Sequence, residues 1–208
     1  MRIFCKNFDV DRHNKEQLDK LTTPAKTYTA RDHGAPHFIE SLEKNCPAPK
    51  LLELKIGAQV ILLSNLNVEK GFVNGSIGTV QSYASTGVRV QFKTGTIIVE
   101  EEEWQIKDQE ADSQGKIQSR VVATRTQIPL KLCWAITVHR AQGKTLDRAV
   151  VDVEEAFSTG MCYTALSRVR NMESLSISGS IPHEAIQVNQ SCVEFYERAE
   201  EEETEFRF

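Results

Sequence analysis

Short apolar runs and their spacing divide the chain into three textures. Residues 2 to 6 alternate toward apolar and predict a strand. Asp9 or Asp11 then supplies an N-cap for a helix reaching about Leu21, with Val10, Leu18 and Leu21 on one face and Pro24 ending it. From Thr22 to Pro49 the periodicity fades. Prolines at Pro24, Pro36, Pro47 and Pro49 interrupt this stretch, which reads as connector with one short helix over Phe38 to Lys44.

A β texture begins at Leu51. Strand-like runs occupy Gln59 to Leu63, Ile77 to Tyr83, Val88 to Lys93 and Thr96 to Glu101, separated by Asn74-Gly75, Ser85-Thr86-Gly87 and Thr94-Gly95. Gly and Asn accept the positive φ that tight reversals need, so these intervals predict hairpins and a small antiparallel barrel. Trp104 is expected to close the core of that barrel rather than to stack on a base.

Asp108 to Ser119 is polar and linker-like. After it, Val121 to Thr126, Val150 to Val153 and Leu175 to Ile177 predict strands, with helices between and after them. Leu132 to Gln142 is ambiguous, because Ile136-Thr137-Val138 suits a strand while eleven residues closed by Gly143 suit a capped helix; the helix is the preferred expectation. Strand and helix alternation on both sides of an all-β block predicts one α/β domain with a barrel inserted into it.

Composition narrows the class without naming a function. With 208 residues, 40% of them apolar, the chain is long enough to bury a core. Five cysteines, Cys5, Cys46, Cys133, Cys162 and Cys192, are odd in number and contain no C-x-x-C pair, so no disulfide framework or zinc ribbon is indicated and a reducing compartment is expected. No secretion signal or membrane span is visible in the sequence. The net charge of −4 is unusual for a surface that tracks phosphates, but much of the acid sits in Glu100 to Glu103 and Glu200 to Glu205, which leaves room for a local neutral or basic groove.

Several residue groups invite chemical readings. Gly143-Lys144-Thr145 resembles the end of a phosphate-binding loop, yet the position that must be the first Gly of such a loop is Val138, and a β-branched residue there does not form the nest. His33 and His37, with Cys46 beyond them, are metal-ligand types, but Gly34 and Pro36 prevent a helix that would align the imidazoles, and they read as surface histidines. Thr137 and His139 offer short donors to a phosphate or base edge, Gln142 adds an amide, and Gly143 permits close backbone approach. Tyr163 to Arg170 forms a helix or turn presenting Ser167, Arg168 and Arg170 together. An arginine fork there suits a γ-phosphate transition state, although on the residue types alone a structural salt bridge is the preferred reading of either arginine.

The segments Trp134-Ala-Ile-Thr-Val-His139-Arg-Ala-Gln142-Gly143-Lys144-Thr145-Leu-Asp147 and Tyr163-Thr-Ala-Leu-Ser167-Arg168-Val-Arg170 resemble motifs V and VI of superfamily one helicases. With Arg2 to Asn14 resembling motif IV, and Cys46 to Val60 and Phe72 to Val80 resembling the entry to an SH3-like insertion, the chain is similar over nearly its whole length to the C-terminal part of the petite-integration-frequency helicase family, superfamily one B motors related to RecD-type helicases.

That resemblance implies an α/β fold: a second RecA-like lobe with an inserted SH3-like antiparallel barrel. It implies residues 1–50 as the first part of the lobe, 51–108 as the insertion, 109–119 as a linker, 120–183 as the rest of the lobe, and 184–208 as a C-terminal helix and acidic tail. It implies that Thr137 and His139 contact single-stranded DNA, that Gln142, Gly143 and Thr145 lie between DNA and nucleotide, and that Arg168 is the arginine finger. Where superfamily one relatives often carry a phosphate-contacting Arg, this chain has Asp11, with Lys6 or Arg12 as substitutes. The implied activity is that of a 5′ to 3′ ATP-dependent DNA helicase, with the associated roles in DNA repair and recombination. ATP and Mg²⁺ would be engaged only with an N-terminal RecA-like lobe in cis or trans, because neither a phosphate loop nor a magnesium-binding acidic motif is found in these residues. Single-stranded DNA is the expected partner, no metal ligand set and no membrane contact is expected, and an intracellular location, nuclear or cytoplasmic with mitochondria also open, follows. The competing expectation is a non-catalytic DNA- or protein-binding module derived from a helicase lobe.

Overall fold

Arg2–Phe4 form β1, and the chain passes directly into α1, Asn7–Asp19. This is a computed structural model that describes residues 1–111, 117–186 and 188–205, with side-chain surroundings for 1–108, 119–186 and 188–199. The chain divides into two compact units: Met1–Lys15 with Trp134–Phe208, and, inserted between those segments, Glu16–Cys133.

The first unit is built on a four-stranded parallel sheet in the order β12-β1-β13-β14, where β12 is Ala135–Thr137, β13 is Ala149–Val151 and β14 is Leu175–Ile177. Ile3 lies opposite Ile136 on one side and Val151 on the other. All three residues of β12 are buried, as are Ile3, Phe4, Ala149 and Val151, which is the continuous burial expected of a parallel sheet covered on both faces. Phe4, Val10 and Ala135 pack together between β1, α1 and β12. Asn14, itself buried, accepts from the N–H groups of Trp134 and Ala135 through Oδ1, at 2.9 and 2.8 Å, and donates from Nδ2 to the Ala135 carbonyl. One helix side chain thus anchors the entry to β12. The remaining helices are α3, Val138–Ala141, α4, Met161–Leu166, and α5, Gln190–Glu205.

The order of these strands fixes where ligands can approach. β1 is first in sequence but internal in the sheet: the chain runs from β1 to its neighbour β12, crosses back to β13 on the other side, and continues outward to β14. Connections from β1 and β13 therefore depart in opposite directions. A crevice at the carboxyl ends of such strands is the usual binding position in open parallel sheets.

The second unit holds β2 (Lys26–Thr29), β3 (Arg31–Gly34), α2 (Pro36–Asn45), β4 (Leu51–Leu54), β5 (Gln59–Leu62), β6 (Ile77–Tyr83), β7 (Gly87–Phe92), β8 (Gly95–Glu100), β9 (Glu102–Ala111), β10 (Ile117–Gln127) and β11 (Leu130–Leu132). Strands β5 to β8 are the four hairpin strands expected from the sequence. A fifth, β11, pairs antiparallel with β5, giving the order β11-β5-β6-β7-β8. Gly78 is required where β6 crosses β7, because a Cβ there would stand 2.6 Å from a Val90 methyl.

Four local expectations are corrected. Leu132 to Gln142 is not one helix: Ala135–Thr137 is a strand, and only Val138–Ala141 turn helical. The physical reason is pairing at long range, since β1 offers a parallel ladder to all three residues and a buried slot that favours β-branched Ile136 and Thr137. Residues 22 to 49 are more than connector: β2 pairs with β4, β3 pairs with β10, and α2 covers Pro36–Asn45. Arg125 on β10 is buried, donating Nε and Nη2 to the two carboxylate oxygens of Asp32 on β3 at 2.8 and 2.7 Å and Nη1 to the Ala48 carbonyl. The polar stretch read as linker is strand up to Ala111 and again from Ile117, the two arms pairing as β9 and β10; residues 112–116 of that reading lie outside the described residues. Trp104 stands on β9 opposite Arg125 and is half-buried, so it belongs to the β3-β10-β9 sheet and not to the five-stranded one.

Candidate nucleic-acid interface

Thr137 ends β12 and caps α3, its hydroxyl accepting from the Arg140 N–H at 3.4 Å. A threonine suits this place twice over: its β-branch fits the strand and its oxygen satisfies one of the amides that the first helical turn leaves unpaired. The side chain is buried, while His139 and Arg140, one and two residues into the turn, are exposed. The turn closes quickly. Gln142 N–H donates to the carbonyls of Val138 and His139, and Gly143 follows with φ +74°, the left-handed conformation that makes glycine the natural residue there.

The carboxyl ends of three strands meet around Thr137. Cys5, Lys6 and Asn7 follow β1, Thr137 ends β12 with His139 and Arg140 just beyond it, and Phe157 comes from the segment after β13; together they line a cavity of about 500 Å³. Its composition is mixed, with an ammonium, an amide, a hydroxyl, an imidazole and a guanidinium beside one aromatic ring. Lys6 Nζ is 2.7 Å from a Glu155 carboxylate oxygen, and that partner holds the ammonium pKa above its ordinary value. Both side chains are about half exposed, so the pair is open to competition by another anion. Cys5 lies at the cavity floor as an inert thiol: burial first, then the nearby Asp152 charge, pushes its pKa up to about 11.

A second group forms where α4 ends. Arg168 donates from Nε to the Thr164 carbonyl at 2.7 Å and from Nη2 to Ser167 Oγ at 2.7 Å. Its own carbonyl accepts from Leu146 N–H at 2.8 Å, and Leu146 bridges in parallel to Val169. Leu146 directly follows Thr145, so this bond ties the Gln142-Gly143-Thr145 segment to the Arg168 backbone. Gln142, Gly143 and Thr145 are all exposed. Among the described residues no carboxylate pairs with Arg168, which is where the salt-bridge reading of this arginine ends.

The six expected site residues therefore fall into two groups, Thr137 with His139 at the sheet-end cavity and Gln142, Gly143, Thr145 with Arg168 beside it along the chain. Of the two motif IV substitutes, Lys6 lines the cavity, whereas Arg12 is engaged by Asp9 at 2.7 Å and packs over the Phe8 ring. Gly143-Lys144-Thr145 follows the end of a helical turn and leads through an isolated bridge and a bend to β13, the reverse of a phosphate loop, which places that triplet at the start of a helix. Sequence reasoning missed Asn7, Arg140 and Phe157. Arg140 was readable as the donor next to His139, but a lone Phe in an acidic loop carries no signal that separates a core residue from a surface one.

Comparison with known proteins supplies the context of these residues. A family profile described as DNA helicase Pif1, 2B domain, matches residues 37–83. The ATP-dependent DNA helicase PIF1 of Danio rerio is 35% identical over 205 residues, which cover 97% of this chain and 30% of that protein. Among solved structures, the crystal structure of Bacteroides Pif1 bound to ssDNA superposes with a TM-score of 0.81 at 29% identity, covering 98% of this chain and 46% of the other. A Bacteroides Pif1 helicase in complex with ADP-AlF3 and ssDNA superposes equally well, with a TM-score of 0.81 at 29% identity and coverage of 98% and 45%. This chain thus spans about 30% of the length of the curated relatives it matches. The likeness runs through both units, in order and with a shared fold, so the chain is similar over nearly its whole length to a portion of the Pif1-family DNA helicases.

Proposed function

We propose that this chain is the second RecA-like motor lobe, with its SH3-like insertion, of a 5′ to 3′ ATP-dependent DNA helicase. The observation that carries the proposal is the convergence of Lys6, Asn7, Thr137, His139 and Arg140 on one cavity at the carboxyl ends of a parallel sheet. These are donors, and a single strand offers acceptors at every phosphate. His139 and Arg140 are exposed to receive it, while Thr137, tied to the α3 amide, sets the position of the turn that carries them. The net charge of −4 keeps binding weak and makes it depend on this local cluster.

Nucleotide chemistry in this reading belongs to the paired lobe, which holds ATP and Mg²⁺. The donor set here fits a phosphate: Arg168 presents a planar, permanently charged fork that, among the described residues, rests on neutral oxygens. A guanidinium–phosphate bond, with both partners ionised, is stronger than one from the guanidinium to a neutral oxygen, so the side chain has a driving force to turn outward. The exposed Gln142, Gly143 and Thr145, bonded through Leu146 to the Arg168 backbone, would carry that turn back to α3 and the strand-contacting residues. Support also comes from relatives described as ATP-dependent DNA helicases and from a neighbour in complex with ADP-AlF3 and ssDNA. The cell compartment that follows is an intracellular one containing DNA.

The test is a titration of oligonucleotide by this chain across ionic strength. Single strands should bind better than duplex, without sequence preference, and affinity should fall steeply with salt. His139→Ala should weaken binding while Thr137→Ala also loosens the turn. Binding that ignores salt and survives both substitutions overturns the reading and favours a module that binds protein.

A further inference from the structure

We infer that Phe157 is a stacking platform for a nucleobase, placed so that a strand held by the cavity donors lays one base on its ring. The inference rests on the single-strand reading above and adds a residue and a mode of contact to it. Phe157 is 63% exposed, in the segment between β13 and α4. A scattered exposed apolar side chain needs no explanation. This one differs because every other side chain lining its cavity carries a polar group: Cys5, Lys6, Asn7, Thr137, His139 and Arg140. Its ring lies 6.4 Å from the His139 imidazole, tilted by 41°, so the two rings flank the cavity without covering one another.

An aromatic face surrounded by phosphate donors is the combination by which proteins hold single strands without reading sequence, since every base has a π-face. A protein segment docking here would instead want an apolar floor to match, and among the described lining residues Phe157 is the one pure hydrocarbon side chain. Glu155, two residues earlier, pairs with the Lys6 ammonium at 2.7 Å. A strand phosphate displaces that carboxylate from the ammonium, so backbone and base would be engaged from the same short loop.

The experiment uses the full chain and two probes of equal length, an oligothymidylate and its abasic counterpart, with binding followed by fluorescence anisotropy. Wild-type protein should prefer the base-bearing strand by roughly 5- to 150-fold, the range that one base–aromatic stack supplies. Phe157→Ala should lose that factor on oligothymidylate and nothing on the abasic strand, and Phe157→Trp should keep it. Phe157 is exposed enough that these variants are expected to keep the wild-type circular dichroism and unfolding midpoint. Phe157→Ala that binds oligothymidylate as wild type does, or weakens equally on both probes, overturns the inference and leaves the single-strand reading intact if His139→Ala still reduces affinity. Wild-type protein that binds neither probe overturns both.

Discussion

Arg168 Nε lies 2.7 Å from the Thr164 carbonyl oxygen, one helical turn back along α4, and the same guanidinium reaches Ser167 Oγ. The side chain is thereby folded back onto the end of α4, resting on neutral acceptors with no carboxylate partner among the described residues.

This arrangement separates two roles by magnitude. As an arginine finger, Arg168 contributes on the order of 10³ to 10⁵ in rate once a nucleotide-holding lobe is supplied, whereas hydrogen bonds from a charged group to neutral oxygens contribute at most about 1.5 to 3 kcal/mol each to stability. Arg168→Ala in the reconstituted two-lobe protein should nearly abolish DNA-stimulated ATP hydrolysis and leave folding and single-strand binding close to wild type. Arg168→Lys should rescue poorly, because an ammonium lacks the fork. Full turnover in Arg168→Ala, or loss explained by unfolding, transfers the assignment to the exposed Arg170.

Gly143-Lys144-Thr145 should contribute nothing as a phosphate loop, since it leaves a helical turn instead of entering one. The chain alone, assayed with ATP, magnesium and single-stranded DNA, should show no turnover. Activity that persists through further purification and disappears in Lys144→Ala would contradict the geometry.

Asn14 should matter for folding out of proportion to its size. Its amide satisfies two N–H groups and one carbonyl at the start of β12, all shielded from water or partly so. Asn14→Leu leaves those backbone groups unpaired and should cost about 2 to 4 kcal/mol, read as a lower denaturant midpoint with unchanged slope. A loss below about 0.5 kcal/mol would mean that solvent replaces the amide.

The buried Asp32–Arg125 pair should make the second unit sensitive to acid. Arg125 hydrogen bonds hold the Asp32 carboxyl below its ordinary value of 3.8. A depressed folded-state pKa gives stability that is fully present above the unfolded value and is lost as pH falls through the folded one. The unfolding midpoint should therefore decline below about pH 3.8, and Asp32→Asn should flatten that decline while lowering stability at neutral pH. Truncating one partner of such a pair costs about 3 to 5 kcal/mol, so Arg125→Ala should be the more damaging change. An identical acid profile in wild type and Asp32→Asn would remove the pair from the account.

The primary structure by itself determined what depends on local rules. The hairpin strands β5 to β8 were legible because Asn74-Gly75, Ser85-Thr86-Gly87 and Thr94-Gly95 mark their reversals, and the strands at Val121, Val150 and Leu175 because their apolar runs are short and bounded. Thr137, His139, Gln142, Gly143, Thr145 and Arg168 were singled out from residue types and motif order alone. What tertiary structure decided was everything set by a partner far along the chain. Ala135-Ile136-Thr137 is a strand only because β1, over 130 residues earlier, offers its ladder, and β11 exists only because β5 is there to pair with it. The stretch from 22 to 49 looked like connector because a buried Asp32 reads as a surface acid until Arg125 is placed beside it. The same holds for the site: Phe157 and Lys6 become neighbours of Thr137 only when three strands align their carboxyl ends, since parallel pairing joins segments that no local pattern can relate.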